Sequence, residues 1–282
     1  MSDGTSIEEM SLPTPSDKPK PTGFHPMAWI SSSLQEIITE GLQQSATSRG
    51  ILRHIACELD GNRRWARSRG VPVSAGHRQG AETMTQIVET AFGCGVQALT
   101  LYIFSIENFK RSADEIQSIM AILADCLSRL SDSENGLARR QGFAIRVLGN
   151  LKLLDDDMQA VVRRTVESTK DNGARTLNFC IAYTSRYEIT AAVRKTVIDA
   201  CATRDKQDPT TISVDDINAN MMTADCPPVD LLIRTSGTTR LSDFFMWQCN
   251  GSTDIVFTQT LWPEFGPLRL LFVIWKWQNG LL

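Results

Sequence analysis

The feature that most constrains the fold of this chain is its alternation of short apolar segments with longer segments of helical spacing, which begins near residue 51. The short segments, such as TLNFCIAY at 176–183, are apolar along most of their length, as expected of strands that are covered on both faces. Such strands alternating with helices predict an α/β fold with a central, mostly parallel β-sheet flanked by helices on both sides. The predicted strands are 53–59, 96–105, 143–149, 176–183, 230–236 and 254–260, and the predicted helices are 80–92, 113–130, 155–170 and 186–201.

Length and composition fit one large catalytic domain, because 282 residues that are 42% hydrophobic can bury a substantial core. The net charge of -3 gives no general attraction for nucleic acid, so no nucleic-acid partner is expected and any anion site must come from locally clustered basic residues. Seven cysteines without a CxxC pair favour a reducing compartment. With no apolar run of about 18 residues and no signal-peptide pattern, a cytoplasmic protein is expected, neither membrane-spanning nor secreted.

The N-terminal region divides into two parts ahead of a catalytic domain over 51–282. Residues 1–23 are rich in Pro, Ser and Lys and are predicted to be disordered, because they contain few large apolar side chains to offset the entropy of ordering. Residues 24–50 predict an amphipathic helix, with Leu34, Ile37 and Leu42 on one face. That face could contact a membrane surface or pack against the domain, and the pattern does not separate the two.

Polar and basic residues follow four of the predicted strands. Since ligands of an open parallel sheet bind outside the carboxyl ends of the strands, these residues are expected to meet at one rim. They are Asp60, Gly61, Asn62, Arg63 and Arg64 after the first strand, Ser105, Glu107, Asn108 and Arg111 after the second, Arg186 after the fourth, and Arg234, Arg240 and Ser242 after the fifth.

A single aspartate, Asp60, stands among these arginines. Arginine forks suit phosphate oxygens, whereas a carboxylate repels them, so the combination is best explained if Asp60 holds Mg²⁺ and Mg²⁺ holds a diphosphate. Taken singly, each motif has an ordinary alternative: Asp60-Gly61-Asn62 as a turn, Arg63 to Arg69 as a solvated helix face, and Ser236 to Thr239 as loop chemistry. Their joint placement at strand ends favours a metal-bridged diphosphate site.

The three histidines are weaker signals. His77 precedes a helix near the predicted anion site, where it could contact a phosphate or transfer a proton, although a structural histidine fits the pattern as well. His25 and His54 have no Cys or carboxylate at ligand spacing, so no zinc site is expected.

Six ordered motifs over about residues 50–265 resemble the cis-prenyltransferase family, and within it most resemble the eukaryotic dehydrodolichyl diphosphate synthase branch. They are HIACELDGNRRWAR followed by GHRQGA, LTLYIFSIENFKRS, IRVLGNLKLL, LNFCIAYTSRYEI, LLIRTSGTTRLSDFFMWQ and LWPEF. The resemblance implies a central, mostly parallel sheet flanked by helices, an apolar tunnel, and Mg²⁺-dependent condensation of isopentenyl diphosphate with an allylic diphosphate such as farnesyl diphosphate.

The same resemblance implies roles for individual residues. Asp60 matches the catalytic, metal-holding aspartate, and Asn108 matches a residue implicated in proton removal. The matching substrate-binding positions are Gly61, Asn62, Arg63, Arg64 and Trp65 in the diphosphate turn, His77 beyond it, Ser105, Glu107, Phe109 and Arg111 around Asn108, and Arg234, Arg240 and Ser242 for isopentenyl diphosphate.

Four positions depart from the family pattern. Val73 stands where an arginine is frequent, Thr253 where bacterial members have a second metal-binding glutamate, Thr238 after RTSG in place of an acid, and Asn150 in place of an aspartate. The final segment LRLLFVIWKWQNGLL also lacks the family's Arg-x-Gly motif. These differences suggest a homodimer or a heteromer with a related subunit, and the resemblance to the dolichol branch suggests peripheral contact with the endoplasmic reticulum membrane.

Three functions therefore stand as hypotheses. The first is a chain-elongating cis-prenyltransferase that makes a polyprenyl diphosphate, which the cluster of Arg234, Arg240 and Ser242 favours. The second is a terpene synthase that ionises farnesyl diphosphate alone and cyclises or quenches the cation, which Val73, Thr238, Asn150 and the altered C-terminal segment favour. The third is a non-catalytic accessory subunit, which the joint presence of the site residues disfavours.

Overall fold

Six parallel strands form one sheet in the order β3-β4-β2-β1-β5-β6. The structure is a computed structural model and describes residues 50, 52–132, 134–203 and 212–282. The strands are β1 His54–Glu58, β2 Ala98–Ser105, β3 Phe143–Leu148, β4 Arg175–Tyr183, β5 Leu231–Arg234 and β6 Asp254–Phe257. The predicted parallel sheet is confirmed.

Eight α-helices are found in the described residues. They are α1 Asn62–Ser68, α2 Val73–Gly93, α3 Ala113–Leu130, α4 Leu137–Gln141, α5 Asp156–Thr169, α6 Ser185–Thr203, α7 Val214–Asn218 and α8 Pro267–Gln278. The four predicted helices are present, and α3 has the predicted bounds. The predicted helix 80–92 actually begins at Val73, and α1, α4, α7 and α8 were not among the predicted elements.

The sheet has a core cluster on each face, because neighbouring residues of a strand point to opposite sides. On one face Ile55, Leu99 and Ile233 pack against α2, α3, α5 and α8 in a large apolar cluster. On the other face Ala56 and Leu232 pack against Phe244 and Phe245, which belong to the segment after β5. The strands are therefore covered on both sides, which explains their continuous apolar character.

The order of the strands determines where a ligand can bind. The chain runs from β1 to β2 on one side and from β5 to β6 on the other, so β1 and β5 lie side by side where the connections diverge. In open parallel sheets the crevice for a ligand forms at this point, outside the carboxyl ends of the strands. Residues that follow β1 and β5 therefore face each other.

The predictions for residues 1–23 and for the helix within 24–50 fall, apart from Gly50, outside the described residues. In the part of the chain that is described, each helix is either too short or too polar to cross a membrane.

Candidate diphosphate site at the ends of β1 and β5

A cavity of about 980 Å³ opens at the carboxyl ends of the strands. Its lining contains seven arginines and four carboxylates from the described residues. It also contains apolar residues of α2, α3 and β2, among them Met84, Ile103, Ile119, Ile122 and Leu123. One cavity therefore brings cationic and apolar side chains together, as a molecule with an anionic head and a hydrocarbon chain requires.

The turn after β1 is held by β5 and by the segment before the last helix. The Thr235 hydroxyl accepts a hydrogen bond from the Asp60 amide at 3.0 Å and donates to the Asp60 carbonyl at 2.7 Å, and the Trp262 amide donates to that carbonyl at 3.0 Å. Gly61 has φ 119°, and a Cβ there would lie 3.0 Å from the Cα of Leu261. This position therefore requires glycine, and the turn presents the Asp60 side chain to the cavity.

Helices α1 and α2 come close together through two glycines. A Cβ on Gly76 would lie 2.4 Å from the Asn62 carbonyl oxygen, and a Cβ on Gly80 would lie 2.3 Å from Asn62 Oδ1. The Trp262 indole donates to the Gly80 carbonyl at 2.8 Å. Asn62 thus lies at the cavity wall, with a buried Oδ1 that has no hydrogen-bond partner among the described residues.

Asp60 lies between two arginines. Arg234 Nη2 donates to Oδ2 at 2.9 Å, and Arg64 Nη2 lies 3.4 Å from Oδ1. Burial alone would raise the pKa of Asp60, but hydrogen bonds from Arg234 and Ser236 and the charges of Arg234 and Arg64 outweigh it and lower the pKa. Asp60 is therefore ionised at neutral pH, which a metal-holding carboxylate must be.

Arg234 is almost wholly enclosed, with 2% of its side chain exposed. Besides Asp60, it donates through Nη1 to Glu58 Oε2 at 2.6 Å, to Ser242 Oγ at 2.7 Å and to the Arg240 carbonyl. Burial raises the pKa of Glu58 to about 7 although the Arg234 charge opposes this shift. Arg234 was predicted to bind isopentenyl diphosphate, yet here its terminal amino groups are occupied by the protein itself.

The loop after β2 is a 3-10 turn at Ile106–Lys110, closed by a capping box. Ser105 Oγ accepts from the Glu107 amide at 3.1 Å, and Asn108 Oδ1 accepts from the Ser105 amide at 3.2 Å. Because Oδ1 accepts from the backbone, the amide nitrogen of Asn108 is the group left to meet a ligand.

His77 and Arg111 line the cavity and form a half-buried cluster with Glu115. Arg111 Nη1 donates to Glu115 Oε1 at 3.0 Å, and His77 Nε2 lies 3.5 Å from the same oxygen without forming a hydrogen bond. Burial lowers the pKa of His77, the Arg111 charge lowers it further, and Glu115 acts in the opposite direction. His77 is therefore neutral at pH 7 and does not serve as a cation for a diphosphate.

The segment after β5 has an unusual backbone, since Ser242, Asp243 and Phe245 have φ of 46°, 62° and 48°. The Asp243 carboxylate fixes it by accepting from the Arg186 amide at 3.1 Å and from Arg186 Nε at 2.7 Å. This conformation brings the Arg240 backbone and the Ser242 hydroxyl to Arg234, and it places Arg240, Ser242 and Asp243 at the cavity wall.

Most of the residues predicted for the site line this cavity. They are Asp60, Gly61, Asn62, Arg63, Arg64, His77, Ser105, Glu107, Asn108, Arg111, Arg234, Arg240 and Ser242. Trp65 and Phe109 are not among its lining residues: the Arg69 guanidinium stacks on Trp65, and Phe109 packs edge-on against Phe104.

The prediction omitted four polar residues that line the cavity, Glu58, Arg67, Tyr102 and Asp243. The signal for Glu58 was present as a single acid inside an otherwise apolar strand. Of the four departures from the family pattern, Thr238 lines the cavity, whereas Val73, Asn150 and Thr253 are not among its lining residues.

The donor set fits one kind of magnesium site. Among the described residues no group of three or more His, Cys, Asp or Glu is arranged to hold a metal ion, so a closed protein cage is not formed. Mg²⁺ is commonly held by one or two carboxylates together with substrate phosphates and water. An ionised Asp60 at the wall of an arginine-rich cavity suits that arrangement.

Comparisons with known proteins agree with this geometry. Residues 59–280 match the family model Prenyltransf, which describes undecaprenyl diphosphate synthases. A dehydrodolichyl diphosphate synthase complex subunit of Schizosaccharomyces pombe is 36% identical over 251 residues, covering 89% of this chain and 90% of that protein. The human dehydrodolichyl diphosphate synthase complex subunit is 39% identical over 226 residues, covering 80% of this chain and 67% of that protein. The crystal structure of lavandulyl diphosphate synthase from Lavandula x intermedia, in complex with dimethylallyl diphosphate, has a TM-score of 0.74 at 29% identity. The match covers 80% of this chain and 95% of that structure.

Proposed function

The chain belongs to the cis-prenyltransferase family and is a prenyltransferase, and on this basis we propose that it condenses isopentenyl diphosphate with farnesyl diphosphate in the presence of Mg²⁺. The observation that carries the proposal is the single cavity that Asp60 and seven arginines line together with apolar side chains. The relatives give no support to the cyclising terpene synthase or to the non-catalytic subunit.

The arginines of the cavity are proposed to divide the two diphosphates between them. Arg63 and Arg67 extend from the exposed side of α1 near Asp60, while Arg240 lies across the cavity on the segment after β5. None of these three side chains is ion-paired with a described carboxylate, so all can bind phosphate oxygens without breaking an internal contact. We assign Arg63 and Arg67 to the allylic diphosphate and Arg240 with Ser242 to isopentenyl diphosphate.

In the reaction the bond from the allylic carbon to its diphosphate breaks, a carbon-carbon bond forms to the isopentenyl unit, and that unit loses a proton, which the released diphosphate would accept. Mg²⁺, when bound by Asp60 and the diphosphate, would stabilise the charge on the leaving group. Asn108 would orient a diphosphate through its amide nitrogen, since an amide is too weak a base to take the proton itself. The apolar wall with Met84, Ile119 and Leu123 would enclose the hydrocarbon chain and exclude water.

Exposed apolar residues support a proposed association with a second subunit, either a copy of this chain or a related one. Ile255 and Phe257 lie on the edge strand β6, and Leu268, Phe272 and Trp275 lie on α8, each between 39% and 55% exposed. The S. pombe and human relatives are named as subunits of a complex. Light scattering with and without Phe272→Glu tests this, because loss of a dimer in the variant is expected. A wild-type monomer at micromolar concentration would argue against self-association.

The main test is a product analysis. The purified chain is incubated with Mg²⁺ and farnesyl diphosphate, with and without isopentenyl diphosphate, and the products are identified by mass spectrometry. We expect a longer prenyl diphosphate only when isopentenyl diphosphate is present, and a loss of at least about 100-fold in Asp60→Ala. Asp225→Ala, which removes an exposed carboxylate paired with Arg146 away from the cavity, is the matched control. A product formed from farnesyl diphosphate alone would contradict the proposal.

A further inference from the structure

Glu58 is a buried carboxylate that the proposed chemistry does not use. It is the last residue of β1, it is 7% exposed, and the other four residues of that strand are all buried. Burying an ionised carboxylate is costly unless it is paired and hydrogen-bonded, so its partner indicates what it does.

The partner of Glu58 is Arg234, its register neighbour on β5. Arg234 Nη1 lies 2.6 Å from Glu58 Oε2, and Nη2 of the same guanidinium lies 2.9 Å from Asp60 Oδ2. Because 2% of the Arg234 side chain is exposed, it cannot move away without leaving the buried Glu58 carboxylate unpaired and removing one of the two arginines beside Asp60. Arg234 is therefore a fixed bridge between Glu58 and Asp60.

The two oxygens of Asp60 differ as a result. Oδ2 accepts from the buried Arg234, whereas Oδ1 lies 3.4 Å from Nη2 of Arg64, whose side chain is 48% exposed and also donates to the Ser236 carbonyl at 3.0 Å and to the Ser236 hydroxyl. A divalent cation that approaches Oδ1 therefore meets a partly exposed arginine, whereas one that approaches Oδ2 meets a buried guanidinium.

The charges of the bridge lead to the same conclusion. When Glu58 is ionised, Glu58, Arg234 and Asp60 together carry one net negative charge, which attracts a cation. If the charge of Glu58 were absent, Arg234 would neutralise Asp60 and that attraction would be largely lost. The other two neighbours of the guanidinium, the Ser242 hydroxyl and the Arg240 carbonyl, are neutral and cannot replace Glu58 in this respect.

We propose that Glu58 is a positioning residue for Asp60, which acts through Arg234 to keep Oδ1 available and the carboxylate electrostatically attractive to a divalent cation. The inference rests on the proposed function, because it assumes that Asp60 holds the metal of a metal-diphosphate complex. It also means that Arg234 serves Asp60 more directly than it serves a substrate.

The test measures metal binding directly, with Mn²⁺ as the probe in the presence of inorganic diphosphate, by the loss of the free-Mn²⁺ signal in electron paramagnetic resonance. Glu58→Gln keeps the size and an acceptor oxygen but removes the charge. We expect its dissociation constant for Mn²⁺ to rise about tenfold or more. The Mg²⁺ concentration for half-maximal activity should rise in parallel, while KM for farnesyl diphosphate at saturating Mg²⁺ stays within about threefold.

Glu188→Gln is the matched control for a buried carboxylate with a structural role. Glu188 is 1% exposed and accepts from the Met222 amide at 2.8 Å and from Gln248 at 2.9 Å, and it is not among the residues that line the cavity. Its variant should lose thermal stability without changing the affinity for Mn²⁺.

Three results would overturn the inference. A folded Glu58→Gln protein with wild-type Mn²⁺ affinity would show that the charge is not used. If that variant does not fold, Glu58→Asp keeps the charge and should retain affinity within about threefold, and a tenfold loss in it would refute the charge argument. A wild-type protein that binds no Mn²⁺ with diphosphate would instead refute the metal in the proposed function, and the inference with it.

Discussion

Replacing Gly80 by alanine separates the stability of this fold from the geometry of its cavity. Gly76 and Gly80 lie one turn apart on α2, and both face α1. An added Cβ at Gly80 would lie 2.3 Å from Asn62 Oδ1, which is the end of a side chain. At Gly76 it would lie 2.4 Å from the Asn62 carbonyl, which is part of the backbone of α1.

Both substitutions gain the same helix propensity, but the close contact of the new Cβ costs a different amount at each position. Alanine in a helix interior is favoured over glycine by about 1 kcal/mol, and overpacking a close contact costs about 1 to 3 kcal/mol. In Gly80→Ala the Asn62 side chain can rotate, so the free energy of unfolding should fall by no more than about 2 kcal/mol. In Gly76→Ala the helix itself must shift, so we expect the larger loss of stability there.

The effect on catalysis should be larger for Gly80→Ala than for Gly76→Ala, the reverse of the order expected for stability. Rotation of Asn62 removes an amide from the cavity wall, and a hydrogen bond to a charged group contributes about 1.5 to 3 kcal/mol. Gly80→Ala should therefore raise KM for the allylic diphosphate about 10-fold to 100-fold, and Asn62→Ala should have a similar effect.

Urea unfolding and steady-state kinetics on Gly76→Ala, Gly80→Ala and Asn62→Ala measure both quantities. If Gly80→Ala were about 1 kcal/mol more stable than the wild type and kinetically unchanged, the close contact with Asn62 would not exist in the folded protein.

Two further variants test the charges of the site. Arg240→Ala should raise KM for isopentenyl diphosphate about 10-fold to 100-fold. The melting temperature should not change, since this exposed side chain is not ion-paired with a described carboxylate. A change in KM for farnesyl diphosphate alone would reverse the assignment of the two diphosphates. The pKa of Glu58 is raised from 4.5 to about 7 by burial, so the folded protein binds the proton more tightly than the unfolded chain, and the free energy of unfolding should fall as pH rises from about 4.5 to 7. Urea unfolding at pH 5 and pH 7.5 measures this slope; it should flatten in Glu58→Gln, and an equal slope in that variant would show that another group titrates.

The fold was largely predictable because its signals are local. Apolar strands and amphipathic helices can be identified from their own residues, and parallel strands bring their carboxyl ends to one edge whatever their order. That is why Asp60 and Arg234, which are 174 residues apart, could be expected at one rim. The start of α2 was misplaced because Gly76 and Gly80 lower helix propensity. They are tolerated there because α1 packs directly against them.

The internal contacts of the site were not predictable in the same way. The Glu58–Arg234 pair depends on β1 lying next to β5, and no local pattern specifies the order of strands. Trp65 and Phe109 stand in motifs that line the cavity, yet their own side chains pack elsewhere, because within a helical turn adjacent residues point in different directions. Position in a motif therefore predicted the loop and not the direction of each side chain.

The arginines that line the cavity are not equivalent. By sequence they form one class of phosphate ligands, but the structure separates them by whether a carboxylate already holds them. Arg111, Arg186 and Arg234 are held by Glu115, Asp243 and the Glu58–Asp60 pair. In the described part of the chain, Arg63, Arg67 and Arg240 have no such partner. A diphosphate that binds a paired arginine must compete with an internal ion pair, whereas one that binds an unpaired arginine only displaces water. The unpaired arginines should therefore contribute most of the affinity, and the paired ones should set the shape of the site.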